Sequence, residues 1–262
     1  MNASESAMSV ERAREIALGR RDGKLGAPSK MPGFAFGLSA FKCQRGAALA
    51  EDPNSPCAHC YARSNFYLTK DTVREAHERR LQGLTHPAWV LAMIILIRHE
   101  VDPKDPYFRW HDSGDLQGVW HLANIVEVCR ETPSVNYWLP THEPYMVREY
   151  LARVQRGEAE PIPPNLCIRV SADKMDQPPA PIEGLEGVRT STVHHGHGNA
   201  RVVQVSDRKK DSVECKSYLR SKKPGSAGVC GNCRACWNTD VVNVSYPMHG
   251  ERASKYQLPL FK

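Results

Sequence analysis

Four short apolar runs constrain this chain most. They are "FAFGLSAF" (34–41), "YFRWH" (107–111), "VNYWLPT" (135–141) and "NLCIRVSA" (165–172). Each is apolar along nearly its whole length, the pattern of strands buried on both faces. Between them lie stretches with helical spacing of apolar residues: 70–84, 87–101, 119–131 and 143–155. Strands that alternate with helices predict an α/β fold with a parallel sheet, either open and doubly wound or closed into a full or partial barrel. Three further runs read as strands, at 188–193, 200–206 and 241–246. Residues 1–30 read as a short helix with a basic lead-in. The chain's 262 residues suffice for one large domain or two small ones.

Polar residues collect just past the ends of the first four runs: Cys43, then residues 112–115, 141–143 and 171–173. In parallel α/β folds the C-terminal strand edge carries the site. His111, Asp112, Thr141, His142, Glu143 and Arg169 are therefore candidates for orienting a substrate, or else loop hydrogen-bonding groups.

The chain has nine cysteines. Its first residues are polar, without the apolar core of a secretory signal, and the most apolar run, "WVLAMIILI" (89–97), is too short to span a bilayer. The expectation is a cytosolic protein with no membrane partner. Thiols there stay reduced and serve as ligands, catalysts or core residues. One set is Cys43, Cys57 and Cys60, in "FKC" and "SPCAHCYAR". Three thiolates leave one position of a metal site open, as a catalytic metal requires; with His59 or His77 as a fourth ligand the same set reads as a structural zinc knuckle. The second set is Cys215, Cys230, Cys233 and Cys236, the last three in a C-x2-C-x2-C pattern. Four thiolates close a site, and the doubly spaced triple favours an iron–sulfur cluster over zinc. Cys129 and Cys167 lie in apolar segments and read as core.

The formal charge is +6, and basic residues cluster in "GRRDGK", "REAHERR", "SDRKKD" and "YLRSKKPG". This favours an anionic partner, nucleic acid above all. "TVHHGHG" (192–198) reads equally as a metal site or a solvated loop.

A thiol triad after the first strand of a β/α chain, ending in "CAHCYA", resembles the radical S-adenosylmethionine (SAM) superfamily. That resemblance implies a partial (β/α) barrel over residues 31–206, after a lead-in at 1–30 and before a cysteine-rich cluster-binding extension at 207–262. Cys43, Cys57 and Cys60 would hold a 4Fe–4S cluster whose open iron takes SAM. Tyr61 fills the aromatic position after the last cysteine. Ser113, Gly114 and Asp115 stand where the superfamily's SAM amino-group motif falls, and Ser171 is a SAM contact by position. The usual spacing is C-x3-C-x2-C, whereas thirteen residues separate Cys43 from Cys57 here. With "RWHDSGDL", "YWLPTHE" and the late cysteines added, the chain is similar to the phage "gene product 88" family over roughly 30–250.

The resemblance implies a 5′-deoxyadenosyl radical that abstracts hydrogen, two 4Fe–4S clusters, an electron donor such as flavodoxin, and, for a phage protein, the host cytoplasm. Charge and phage origin together point to DNA or a modified nucleotide as substrate. The sharpest form is an isomerase that converts N-linked glycyl-thymidine to its C-linked isomer. Two alternatives stand: a non-catalytic zinc protein that binds DNA, and a radical SAM enzyme acting on a peptide or small metabolite.

Overall fold

The computed structural model describes residues 8–63, 66–196, 202–220 and 228–248. Helix α1 (Val10–Leu18) starts at Ser9, whose hydroxyl accepts the Arg12 N–H, and stops at Gly19. Strand β1 (Phe34–Phe36) follows, then the short helices α2 (Gln44–Leu49) and α3 (Phe66–Thr69), and the longer α4 (Asp71–Gly83) and α5 (Trp89–Glu100). The chain continues through β2 (Tyr107–Trp110), α6 (Val119–Glu131), β3 (Asn136–Thr141), α7 (Pro144–Gln155), β4 (Leu166–Ser171), β5 (Arg189–His194), β6 (Ser212–Glu214) and β7 (Asn243–Pro247). All seven strands form one parallel sheet in the order β1-β2-β3-β4-β5-β7-β6. The segment after residue 206 thus contributes two strands to the same sheet as the rest of the chain.

The two faces of the sheet are covered differently. Phe36, Phe108, Trp110, Tyr137, Leu139, Leu166, Ile168 and Val170 face α1, α5, α6 and α7 and form the main core with Trp89, Met93, Leu96, Ile97, Leu122 and Ile125. Each such fully buried side chain stabilises the fold by roughly 1.5–3 kcal/mol. The residues that alternate with these point the other way. Tyr107, Trp138, Val244 and Tyr246 pack there against Cys236 and Trp237 of the cysteine-rich segment. The strands are buried on both sides, but among the described residues the helices of the main core cover only one.

Two sequence expectations fail locally. The run 34–41 is a strand only to Phe36, because the Leu38 N–H goes to the Ser113 carbonyl in the loop after β2 and the chain then turns at Ala40–Lys42. Residues 202–206 form no strand, and 200–201 lie outside the described residues. Val203 instead bonds side chains of β7: its N–H reaches Ser245 Oγ and its carbonyl takes Asn243 Nδ2. The strand that fills the sheet edge is β6, beside β7.

Among the described residues no helix is long and apolar enough to cross a membrane.

Candidate functional site

The first thiol set lies at the C-terminal strand edge. Cys43 leads into α2, and Cys57 sits in a turn, Pro56–His59, capped by Ser55, whose hydroxyl accepts the Cys57 N–H at 3.2 Å. The Cys60 N–H closes back on the Cys57 carbonyl. A β-carbon placed on Gly46 would stand 3.7 Å from Cys57 Sγ and 3.8 Å from Cys43 Sγ, so the two sulfurs flank one point. Burial holds the Cys43 thiol far above its ordinary pKa, and the charges of Asp115, Cys60, Cys57 and Glu143 add to the shift. Cys57 is pushed up to about 12, first by burial and then by Cys60.

This cysteine loop, which follows β1, is tied to the ends of three other strands. Glu143, after β3, accepts the Arg45 N–H at 2.8 Å, and the Arg45 guanidinium pairs with Asp173, after β4. The Asn54 carbonyl accepts from Met175 N–H. Gln44 and Gln117 bond across to each other's loops, and Tyr61 donates its hydroxyl to the Asp112 carbonyl.

The loop after β2 is the strained part of the edge. His111 holds φ +56, outside the usual range of a non-glycine residue. Both of its ring nitrogens, Asp112 Oδ1 and Ser113 Oγ are buried without a hydrogen-bond partner among the described residues. Gly114 takes φ +78, and a β-carbon there would come within 2.7 Å of Leu38. Asp115 has its carboxylate engaged: it accepts from Thr141 Oγ1 at 2.6 Å and from the N–H groups of His142 and Leu116 at 2.8 Å. Burial raises its pKa to about 7 against those hydrogen bonds. Asp115 thus joins the loops after β2 and β3. Ser171 shares a hydrogen bond with Ser191 on β5 at 2.9 Å.

The second set gathers on the opposite face from the helices. Burial raises the Cys230 thiol, with Cys215 and Cys233 acting on it next. Cys236 is pushed up to about 12 by burial, opposed by its contact with the Tyr246 hydroxyl at 3.1 Å, and Cys215 and Cys230 act on it too. Trp237 Nε1 donates to the Phe108 carbonyl on β2, and Arg234 pairs with Asp105. Arg169 does not face a substrate. It is fully buried and holds this segment by its backbone carbonyls.

Arg109 lies between the two sets. Its guanidinium sits 4.3 Å from the centre of the Trp138 ring. Tyr61 and Asp112 act on it from the first set, and Tyr246 and Cys236 from the second. Sequence reading passed over it, although a lone charge inside "YFRW" was the available signal. The ion pair of Arg45 with Asp173 had no such signal. The histidine-rich loop splits: His194 is buried against Ser245, His195 is paired with Asp176, and His197 lies outside the described residues.

Among the described residues no three His, Cys, Asp or Glu side chains converge as a single metal ion would require. The donor chemistry still fits a cationic cluster. The charged groups acting on Cys43 and Cys57 are Asp115, Glu143, Asp173 and the other thiols. Burial and these neighbours keep both groups protonated, so a metal or cluster would have to displace their protons; sulfur donors of this kind suit zinc or iron–sulfur ligation.

Fold and site thus define a mixed α/β protein with a seven-stranded parallel sheet and two gathered thiol sets. The chain matches the family model described as Gene product 88 over residues 9–239, and it belongs to that family. No curated protein and no solved structure matches it.

Proposed function

We propose that this protein is a radical SAM enzyme that modifies a DNA base. The observation that carries the reading is the gathering of Cys43 and Cys57, with Cys60 acting on both, at the C-terminal edge of a parallel sheet. Cys43, Cys57 and Cys60 would hold a 4Fe–4S cluster that binds SAM, and Cys215, Cys230, Cys233 and Cys236 a second cluster. Bound together, cluster and SAM supply a 5′-deoxyadenosyl radical that takes hydrogen from an unactivated C–H bond.

The chain's part is to hold and orient. Ser113 Oγ and Asp112 Oδ1 are unpartnered polar atoms at the same edge and can receive donors or acceptors of SAM or substrate. Gly114 lets the loop pass close to Leu38, and Asp115 fixes that loop to His142. Tyr61 anchors the cysteine loop on Asp112. Reducing equivalents would come from a donor such as flavodoxin, in the host cytoplasm of a phage-encoded protein.

The sharpest form of the reading is isomerisation of N-linked glycyl-thymidine. The bond from the thymine methyl carbon to the glycine nitrogen breaks, a bond to the glycine α-carbon forms, and the α-hydrogen ends on nitrogen. The α-hydrogen is weak because amine and carboxylate both stabilise the radical left behind. The net charge of +6 accords with a polyanionic substrate.

The test is iron and sulfide content on protein purified without oxygen, with its spectrum before and after dithionite. About eight irons and a charge-transfer band that bleaches support two clusters. Cys57→Ala and Cys233→Ala should each lose about half of that iron. With the clusters loaded, SAM should be cleaved to 5′-deoxyadenosine, and mass spectrometry of digested DNA should show the C-linked base. Zinc without iron overturns the radical reading; cleavage of SAM with no change in DNA overturns only the substrate.

A further inference from the structure

Among the described residues the large exposed aromatic side chains share a position in the fold. Among the described residues the large exposed apolar side chains are Phe41, Tyr61, Trp120, Tyr145 and Leu219, between 42% and 66% accessible. Four of the five are aromatic, and all four follow a C-terminal strand end. Phe41 lies in the turn before Cys43, and Tyr61 directly after Cys60. Trp120 and Tyr145 are the second residues of α6 and α7. An exposed aromatic costs hydration free energy, and four around one candidate site mark a binding surface.

These loops form one surface. Gln117, three residues before Trp120, donates to the Lys42 carbonyl, and Gln44 donates back to the Gln117 carbonyl. The Arg45 N–H binds Glu143, two residues before Tyr145. Arginines stand over the rings: Arg63 is 5.4 Å from the Phe41 ring centre, and Arg45 and Arg148 are 5.6 and 5.2 Å from that of Tyr145. Of the acidic groups at this edge, Asp173 pairs with the Arg45 guanidinium and Glu143 accepts the Arg45 backbone N–H.

We propose that this surface is a stacking platform for unpaired bases and that the protein takes single-stranded DNA. The inference rests on the nucleic-acid part of the proposed function and not on its radical chemistry. Flat rings meet the faces of bases, which a duplex keeps stacked and a single strand exposes. The arginines beside Phe41 and Tyr145 add positive charge for the phosphates, and Arg148 can itself stack on a base. The surface surrounds the first thiol set, so a strand held there would present its bases to it without the cost of opening a pair.

The experiment uses the full chain, without SAM or reductant, and a fluorescein-labelled oligothymidylate of about twenty nucleotides, enough to span one such platform. Fluorescence anisotropy is compared with the same strand in a duplex, at several salt concentrations. The single strand should bind at least about tenfold more tightly, and Phe41→Ala, Trp120→Ala and Tyr145→Ala should each weaken it roughly tenfold. Arg148→Gln should weaken it less and flatten the salt dependence. Tryptophan emission should be quenched by the single strand, and much less so in Trp120→Phe. Equal or tighter duplex binding overturns the proposal. So do alanine variants that bind like the parent, which would leave a phosphate-binding surface or a protein interface. Iron content and SAM cleavage are independent readouts, so either idea can fail alone.

Discussion

Arg169 Nε donates to the Cys236 carbonyl at 3.0 Å, and the same guanidinium reaches four more backbone oxygens. Nη2 donates to Ala235 at 2.8 Å and Asn238 at 2.9 Å, and Nη1 to Thr190 at 3.2 Å and Val242 at 3.4 Å. One side chain of β4 therefore binds carbonyls of the cysteine-rich segment, of β5 and of the residue before β7. Fanning over five acceptors needs a planar fork, which lysine lacks.

Arg169→Ala takes a buried charged donor from all five carbonyls, of which Ala235, Asn238 and Val242 keep a backbone N–H partner. The expected loss is about 3–5 kcal/mol, and Arg169→Lys should recover little of it. Urea unfolding followed by circular dichroism measures both. A melting curve within a degree or two of the parent for Arg169→Ala would sink the assignment.

Gly114→Ala tests the close approach of the β2 loop to β1. The residue holds φ +78 with Leu38 2.7 Å from the would-be β-carbon, so strain and clash add to roughly 2–4 kcal/mol. Gly157 is the control. It has φ +73 and nothing within 4 Å, so Gly157→Ala carries the backbone cost alone, about 1–2 kcal/mol. Equal losses in the two variants would show that Leu38 does not press on the loop.

Much of this architecture was legible because burial wrote it into the sequence. The range 119–131 matches α6 to the residue, since its apolar positions other than Trp120 serve the main core. The strand-end rule also brought Cys43 and residues 112–115 to one edge. What the second face packs against was not legible: near-continuous apolar strands say that both faces are covered, not that the cover is a cysteine-rich segment. β6 was missed because "SVE" has no apolar run and is a strand only through its neighbour β7. The run 200–206 misled for the converse reason, with strand-forming residues whose partners are the side chains of Ser245 and Asn243. The contact of Arg45 with Asp173 joins residues 128 apart in sequence, and no local pattern reports it.

Three buried histidines make acid the vulnerable side. Burial lowers His121 to about 3 and His142 to about 4, and it holds His111 well below its ordinary value. Below the ordinary value of 6.5 the unfolded chain protonates all three and the folded chain does not, so stability falls as pH drops from 6.5 toward 4. Asp115 works the other way, since its folded pKa near 7 exceeds the ordinary 3.8 and its stabilising proton is lost as pH rises to about 7. His77, which burial also lowers, joins the three histidines, and Glu143, which burial raises, joins Asp115; four groups against two leave a net loss on acidification. His121→Leu removes one of the four. Its stability relative to the parent should improve by up to about 1.4 kcal/mol per pH unit below 6.5. Urea unfolding from about pH 7.5 to about pH 4.5 reads this, and a gap between the two proteins that does not change with pH would rule it out.

Arg109 offers the sharpest test of the two proposed metal centres, because its charge lies between the two thiol sets. Its guanidinium is stacked on Trp138, its Nε has no partner among the described residues, and Tyr61 on one side and Cys236 on the other lie in its field. A fixed cation stabilises the more negative, reduced form of a nearby cluster. Arg109→Gln should therefore leave iron content unchanged and move the reduction potentials negative by on the order of tens of millivolts. Arg109→Lys keeps the charge and should stay near the parent, even though it loses the flat contact with Trp138. A redox titration followed by electron paramagnetic resonance separates the cases. Potentials that do not move in Arg109→Gln would mean that neither thiol set carries a redox centre within reach of this charge. A shift shared equally by Arg109→Lys would assign the effect to packing on Trp138 instead.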